Sequence, residues 1–233
     1  MSNLKLTFLA HSGFTVETDT KVLVFDYYQD AQGIVDAYAR GPKPLWFFVS
    51  HWHGDHFNRH IADYSDHTAQ YIVNRDVSLK GVPKDKLQVM DIYERLDVGD
   101  VSVTQFGSTD EGGSFLVRTD DCTVFHAGDL NWWHWLGDTD ANNADARRWY
   151  DEEMKRLDGL SVDVAFFPVD ARLETAREWG VLGFLDCVKV RHLLVPMHYF
   201  GPAWEPSLKF QAQHDDVPLW IPHQGGDTID LNL

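Results

Sequence analysis

Three histidines and one aspartate fall within the six residues His51 to His56 of the segment VSHWHGDHFN: His51, His53, Asp55 and His56. The segment follows LWFFVS, a near-continuous apolar run bounded by turns that reads as a strand buried on both faces. The four side chains therefore leave a sheet edge on a turn, the place where a rigid scaffold most readily presents reactive groups. On extended chain His51 and His53 alternate and point the same way, while Asp55 and His56 come from the turn and can face a second cation. Imidazole and carboxylate ligands suit Zn²⁺, Mn²⁺ or Fe²⁺, and no cysteine stands nearby to build a soft thiolate site. The alternative reading of these residues is a solvated polar helix start.

The H-x-H-x-D-H spacing resembles that of the metallo-β-lactamase-fold hydrolase superfamily, and the resemblance spans nearly the whole chain. The superfamily's pattern also asks for an Asp at the end of an early strand, matched by Asp26 in VLVFD. It asks for a Gly-Asp after a later strand, matched by Gly128 and Asp129 in VFHAGD, and for a His near the end of a C-terminal strand, matched by His198 in VPMHY. The resemblance implies an α/β (α+β) fold, a four-layer αββα sandwich of two mixed sheets with helices on the outer faces. It implies that His51 and His53 hold one ion, that Asp55, His56 and His198 hold a second, and that Asp129 bridges the two. Asp26 would orient the histidine loop through hydrogen bonds. One or two divalent ions are implied, zinc first, with manganese or iron as alternatives.

One departure concerns the first ion, for which the superfamily usually supplies a further His in the loop that here reads FGSTDEGGSF. Either Asp110, Ser108 or Thr109 substitutes for it, or the first site is weak or empty; an Asp ligand would favour harder ions such as Mn²⁺. His11, in FLAHSGF, resembles the strand-turn histidine of the ascorbate-phosphate lactonase-like subgroup and reads either as a metal or substrate contact or as a structural residue. His126 faces away from Asp129 on an extended strand and reads as core. Asp170, His134 and His223 are weaker candidates for lining a pocket, and His60 and His67 read as surface.

The chemistry implied is hydrolysis of a small ester, lactone or phosphoester by metal-activated water, with Asp55 and Asp129 as the catalytic carboxylates. His11, Tyr199 and Asp110 are candidates for protonating the leaving group. The competing reading is a non-catalytic or regulatory metal-binding protein of the same fold. A β-lactamase proper would commonly carry Cys where this chain has Asp129, and the di-iron oxidoreductases of the fold carry Glu where it has His53.

The elements that must position these residues follow from periodicity. LKLTFLA, FTVET and KVLVFDYY read as three antiparallel strands, followed by a short helix over 34–40 and the LWFFVS strand. Strands are predicted at YIVN, QVMDI, DVSVTQF, GSFLVRT and CTVFHAG. ANNADARRWYDEEMKRLDGL has helical spacing, with Ala146, Trp149, Tyr150, Met154 and Leu157 on one face. VDVAFFPVD and HLLVPMHYF read as buried strands around a helix in LETAREWGVLGFLDCVKV. A short helix after Glu205 and strands at PLWIP and TIDLN complete the chain. The tryptophans at 132 to 135 read as a loop packed on the core or as a wall over the site.

With 233 residues, 44% of them hydrophobic, and no low-complexity linker or repeat, one metallo-β-lactamase-like domain over 1–233 is predicted. Thirty-six acidic against 20 basic residues give a net charge of -16, which disfavours nucleic acid as a partner, while a bound dication could still draw an anionic substrate. The partner predicted is a small molecule, with homo-oligomerisation left open. No apolar run approaches the length of a membrane span and the start lacks a signal-peptide pattern, so a cytoplasmic protein that does not enter a membrane is predicted. Cys122 and Cys187 form no disulfide framework or CxxC motif and read as small buried apolar residues.

Overall fold

The computed structural model describes residues 2–233. β1 (Asn3–Ala10), β2 (Gly13–Glu17) and β3 (Val22–Phe25) form the expected antiparallel meander, and β4 (Leu45–Val49), β5 (Thr68–Asn74) and β6 (Leu87–Met90) extend it with parallel pairings. The second sheet contains β7 (Arg95–Val98), β8 (Val101–Phe106), β9 (Ser114–Thr119), β10 (Cys122–His126), β11 (Ser161–Pro168) and β12 (Lys189–Met197). β13 (Thr228–Asn232) returns to the first sheet beside β1. The orders are β13-β1-β2-β3-β4-β5-β6 and β12-β11-β10-β9-β8-β7. In the second sheet β10, β11 and β12 are parallel and the rest antiparallel, so both sheets are mixed, as the α/β sandwich requires.

Period-two alternation decides which face each side chain serves. In β3 and β4, Leu23, Phe25, Trp46 and Phe48 enter the core between the sheets. Their neighbours Val22, Val24, Leu45, Phe47 and Val49 face the other way, onto α1 (Ile34–Ala39) through Val35 and Ala39. The second sheet carries α2 (Asp140–Leu157) and α3 (Trp179–Cys187), whose Tyr150, Met154, Leu157, Val181 and Phe184 join the larger core. α2 starts where the Thr139 hydroxyl accepts a hydrogen bond from Asn142 N, an N-cap that satisfies one otherwise unpaired amide. Among the described residues no helix is long and apolar enough to cross a membrane.

Four expectations about elements are corrected. Arg95–Val98 is a strand that was not predicted; it pairs with β8 across a turn at Gly99 and Asp100. The helix predicted in LETAREWGVLGFLDCVKV is shorter than expected: a 3-10 segment, Ala171–Ala176, itself kinked where Glu174 adopts φ 52, takes its first part, α3 starts only at Trp179, and Lys189 already belongs to β12. PLWIP forms only one isolated bridge, Leu194 with Leu219. Trp149 is 52% exposed, and the buried face of α2 runs through Glu153. A short helix, α4 (Leu208–Gln213), does lie after Glu205.

A polar latch joins the sheets at the end where β3 and β10 begin. Lys21 is only 4% exposed, and its ammonium donates to Asp100 Oδ2 and Thr119 Oγ1 at 2.7 and 2.8 Å and lies 3.3 Å from Asp120 Oδ1. Asp120 in turn accepts hydrogen bonds from Thr18 Oγ1 and from the Thr20 amide and hydroxyl. Burial alone would raise the Asp120 pKa; the threonine donors and Lys21 overcome it and hold the carboxyl below its usual range. Replacing Asp120 with Asn leaves a buried ammonium short of its counter-charge, and the expected destabilisation is about 3 kcal/mol, or a Tm lower by roughly 6–12 °C. Because the folded pKa lies below the unfolded one, the carboxylate's contribution is complete above about pH 4–5 and fades as pH falls through the folded value. The Tm gap between the wild type and D120N, measured from pH 7 to pH 3, should narrow on the acid side.

Candidate metal centre

The site is built where parallel strands end. Asp26 follows β3, His51 to His56 follow β4, Asp129 follows β10, Asp170 follows β11 and His198 follows β12. Ligand sites of open α/β sheets lie beyond the carboxyl ends of parallel strands, and here two such edges face one another. Asp26 is fully buried and receives three hydrogen bonds: Ser50 N to Oδ1 at 2.8 Å, Ser50 Oγ to Oδ2 at 2.7 Å and His56 Nδ1 to Oδ2 at 2.8 Å. The Ser50 hydroxyl has one proton and gives it to the carboxylate, so the contact at 2.9 Å is made by His51 Nδ1 donating to Ser50 Oγ. Both imidazoles thereby carry their proton on Nδ1 and turn an Nε2 lone pair toward the site.

The opposite edge repeats the device. His198 Nδ1 donates to Asp170 Oδ2 at 3.1 Å, which leaves His198 Nε2 facing Asp129 Oδ1 at 3.2 Å. Asp129 turns Oδ1 toward His56 Nε2 as well, at 3.1 Å, and Oδ2 toward His51 Nε2 at 3.5 Å. His11, on the turn between β1 and β2, is tied to the same place by a hydrogen bond from His198 N to His11 O, and its Nε2 lies 3.5 Å from Asp55 Oδ2. His11, Asp26 and His198 all have positive φ, at 55, 42 and 58°, a strained conformation for residues with a side chain and one that concentrates at working sites.

Two groups result, each with ligand atoms within 4.8 Å of one another: His51, His53 and Asp129, and His11, Asp55, His56 and His198. Ligand atoms about 2.0–2.1 Å from one tetrahedral ion stand roughly 3.3 Å apart. The distances above, and the 3.0 Å between His51 Nε2 and His53 Nδ1, bracket that spacing. His11 Nε2, His56 Nε2 and Asp129 Oδ1 are buried without a hydrogen-bond partner, a costly state in a protein interior that a cation would relieve. The donor set therefore fits divalent ions.

Electrostatics points the same way. Burial would raise the Asp129 carboxyl, yet the His56 and His198 imidazoles hold it well below the usual carboxylate range. Burial opposes charge on His56, but Asp129 and Asp26 overcome it and raise the ring to about 10; His198 is raised likewise by Asp129 and Asp170. Burial, with His198 and His56 adding repulsion, pushes His11 down to about 2, and burial and His56 push His51 down to about 4. The buried carboxylates thus demand positive charge, and a dication can supply it in place of protons.

Asp110 lines the pocket next to Asp129 but belongs to neither ligand group. The Thr109 hydroxyl donates to Asn131 O and accepts from Asn131 N, so it braces the Asp129 loop. The loop presses against Ser50 through Gly112: at φ 69 a Cβ there would come within 2.1 Å of Ser50 O and 2.5 Å of His51 Cβ. At Gly128, φ 55, a Cβ would come within 2.9 Å of Ser50 Cβ. His126 is buried, donates to Ser12 O at 2.8 Å and stacks on Phe25, the core role expected of it. The Tyr199 hydroxyl donates to Pro196 O, and His223 is exposed at a turn with Asp227. His60 and His67 are exposed.

A pocket of about 510 Å³ opens from the site. Trp133 and Trp135 lie parallel, 5.9 Å apart at 6°, along one wall, and Trp133 Nε1 donates to Asp129 O at 2.9 Å. Trp132 instead packs on the core beside Trp179. Both readings of the tryptophan run are thus realised, by different residues. Ser50 and Arg172 were not singled out in the sequence. Asp170 was expected only as a pocket residue; it sits behind His198. A polar residue directly after an apolar strand was the available signal for Ser50 and Asp170.

Two mixed sheets enclosing a histidine-aspartate cradle at the carboxyl ends of their parallel strands define a metallo-β-lactamase-fold protein. A Beta-lactamase superfamily domain model matches residues 5–198, and the chain belongs to that superfamily. It is 26% identical over 215 residues to a UPF0173 metal-dependent hydrolase of Bacillus cereus strain AH187, covering 84% of this chain and 86% of the relative. Among solved structures it is similar to Igni18, a metallo hydrolase of Ignicoccus hospitalis, with a TM-score of 0.68 and 18% identity over 99% of each chain. A putative metal-dependent hydrolase of Parabacteroides distasonis gives a TM-score of 0.61 at 16% identity, over 93% of this chain and 91% of that one. CmlA, a diiron β-hydroxylase of Streptomyces venezuelae, gives 0.58 at 12% identity, over 99% of this chain and 54% of that one. The same fold therefore carries hydrolytic and oxidative chemistry, and the choice between them rests on the site.

Proposed function

We propose that this protein is a metal-dependent hydrolase that holds two divalent ions, zinc first and manganese or iron as alternatives, and cleaves a small ester, lactone or phosphoester. The observation that carries the reading is the placement of Asp129, whose two oxygens turn toward two separate clusters of imidazole nitrogen. The names carried by the similar bacterial and archaeal proteins agree with it. His51, His53 and Asp129 would hold one ion, and His11, Asp55, His56 and His198 the other, with Asp129 shared. His11 thereby strengthens the second site, and the first remains without a third histidine.

Bound ions would lower the pKa of water toward neutrality and polarise the oxygen on the carbonyl carbon or phosphorus that is attacked. The chain supplies the rest. Asp26 and Asp170 keep the Nδ1 protons of His56 and His198 in place, so that the Nε2 lone pairs stay aimed inward. Asp55, part-exposed at the pocket floor, is placed to accept a proton from water, and Asp129 to orient that water. The Trp133 and Trp135 wall limits solvent on one side.

Elemental analysis of protein purified without added metal should find two ions per chain, and chelation should suppress turnover on a panel of esters, lactones and phosphoesters. Readdition of Zn²⁺, Mn²⁺ or Fe²⁺ would then rank the metals. One tightly held ion with no turnover across the panel would overturn the reading in favour of a non-catalytic metal-binding protein.

A further inference from the structure

Arg172 is the one Lys or Arg among the described residues that line the site pocket. Its guanidinium is fixed from behind: Nε lies 3.0 Å from each oxygen of Asp170, Nη2 lies 2.5 Å from Oδ2, and the Arg172 amide donates to Oδ1 at 2.8 Å. One face of the fork covers the Phe200 ring at 3.8 Å, and the Trp135 centroid is 5.4 Å away. The side chain is still 45% exposed, and Nη1 makes no hydrogen bond to a described residue. A planar cation is therefore immobilised with free donors at the pocket wall, two hydrogen bonds away from the His198 ring through Asp170.

Asp170 does not cancel this charge outright, because the same carboxylate also serves the His198 proton. The acids at the far wall are already engaged: Asp145 pairs with Arg148 at 2.6 Å, and Asp138 accepts from Thr139 N and Asn142 Nδ2. Arg172 is engaged by Asp170 along its Nε and Nη2 edge alone, and Nη1 stays free toward the pocket. Next to it Trp133, Trp135 and the half-exposed Phe200 offer flat apolar surface facing the same space.

We infer that Arg172 clamps an anionic group of the substrate, a carboxylate or phosphate, while the Trp133 and Trp135 wall takes a flat or ring portion beside it. This rests on the hydrolase reading for the reaction and narrows its substrate class to small anionic esters, lactones or phosphoesters with such a ring. Arg rather than Lys suits the task, since its fork can grip Asp170 with one edge and a carboxylate or phosphate with another.

The test is binding at equal metal content, which needs no turnover. Calorimetry on metal-loaded wild type and Arg172→Gln with benzoate, phenyl phosphate and neutral benzamide should show the anions weakened roughly ten- to a hundredfold in the variant and benzamide unchanged. Which anion loses more tells carboxylate from phosphate. Ion-anion contacts are common to both proteins, so the difference reports Arg172. A second readout avoids substitution altogether: phenylglyoxal labelling of Arg172 in the wild type, followed by peptide mass spectrometry, should be slowed by the anions but not by benzamide, with exposed Arg40 as the internal control. Equal anion affinity in the two proteins, or labelling of Arg172 indifferent to the anions, overturns the inference. Anion binding through Arg172 in a protein that hydrolyses nothing would instead overturn the hydrolase reading alone.

Discussion

Asp129→Ala is expected to abolish hydrolysis and to leave the protein unable to hold its full complement of ions. The side chain is nearly buried and, among the described residues, is the only group whose oxygens face both ligand clusters, at 3.1 and 3.2 Å from His56 and His198 and 3.5 Å from His51. Its removal would take a ligand from each of the two proposed ions, together with the negative charge that would offset them. It also leaves the imidazoles of His56 and His198 close together without the carboxylate between them. The loss in turnover should be roughly three orders of magnitude or more, the scale seen when a central member of a cooperating catalytic unit is deleted. Metal stoichiometry should fall below two per chain, with a fold retained by far-UV circular dichroism. Turnover within tenfold of wild type at unchanged metal content would sink the assignment of Asp129.

Asp26→Ala should be the more damaging change for stability. Three buried donors, Ser50 N, Ser50 Oγ and His56 Nδ1, lose their acceptor together, and the expected cost is about 3–5 kcal/mol, or a Tm lower by roughly 6–20 °C. Backbone strain adds to it, since Asp26 sits at φ 42, where Ala is disfavoured and Asn is tolerated. Asp26→Asn separates the two effects. It keeps the backbone and the shape, but its amide presents N–H where His56 Nδ1 or Ser50 Oγ needs an acceptor. The Asn variant should stay folded and bind metal roughly 10–100-fold more weakly, because the His56 ring is no longer held in one tautomer. Thermal unfolding and metal titration on both variants check this; an Asn variant with wild-type metal affinity would show that Asp26 acts on folding alone.

The residues legible in sequence share one property: each is a ligand-type side chain at the end of an apolar strand. His51 to His56, Asp129 and His198 met that description, and all of them converge. His11 was half legible, because a histidine on a hairpin turn gives no clue to what lies opposite it until the sandwich closes and His198 N reaches its carbonyl. Ser50 and Arg172 were hidden, and Asp170 was legible only as a pocket residue, because their roles depend on which strand exits become neighbours, and pairing across sheets leaves no local spacing. Trp149 shows the limit of periodicity: its position on the helical face was read as core, but that turn of α2 borders the pocket and leaves the indole exposed. The two-sheet architecture was legible through the resemblance, while the continuous apolar runs of β3 and β4 signalled strands buried on both faces, as the two core clusters bear out.

The latch around Lys21 and Asp120 stands at the end of the sandwich remote from the site, where β3 and β10 start, whereas the cradle stands where they finish. The two sheets are thus pinned by fixed charge at one end, while at the other the chain ties them with neutral hydrogen bonds, His198 N to His11 O, Gly113 N to Ser50 O and His126 to Ser12 O, to which cations held by ligands of both sheets would add.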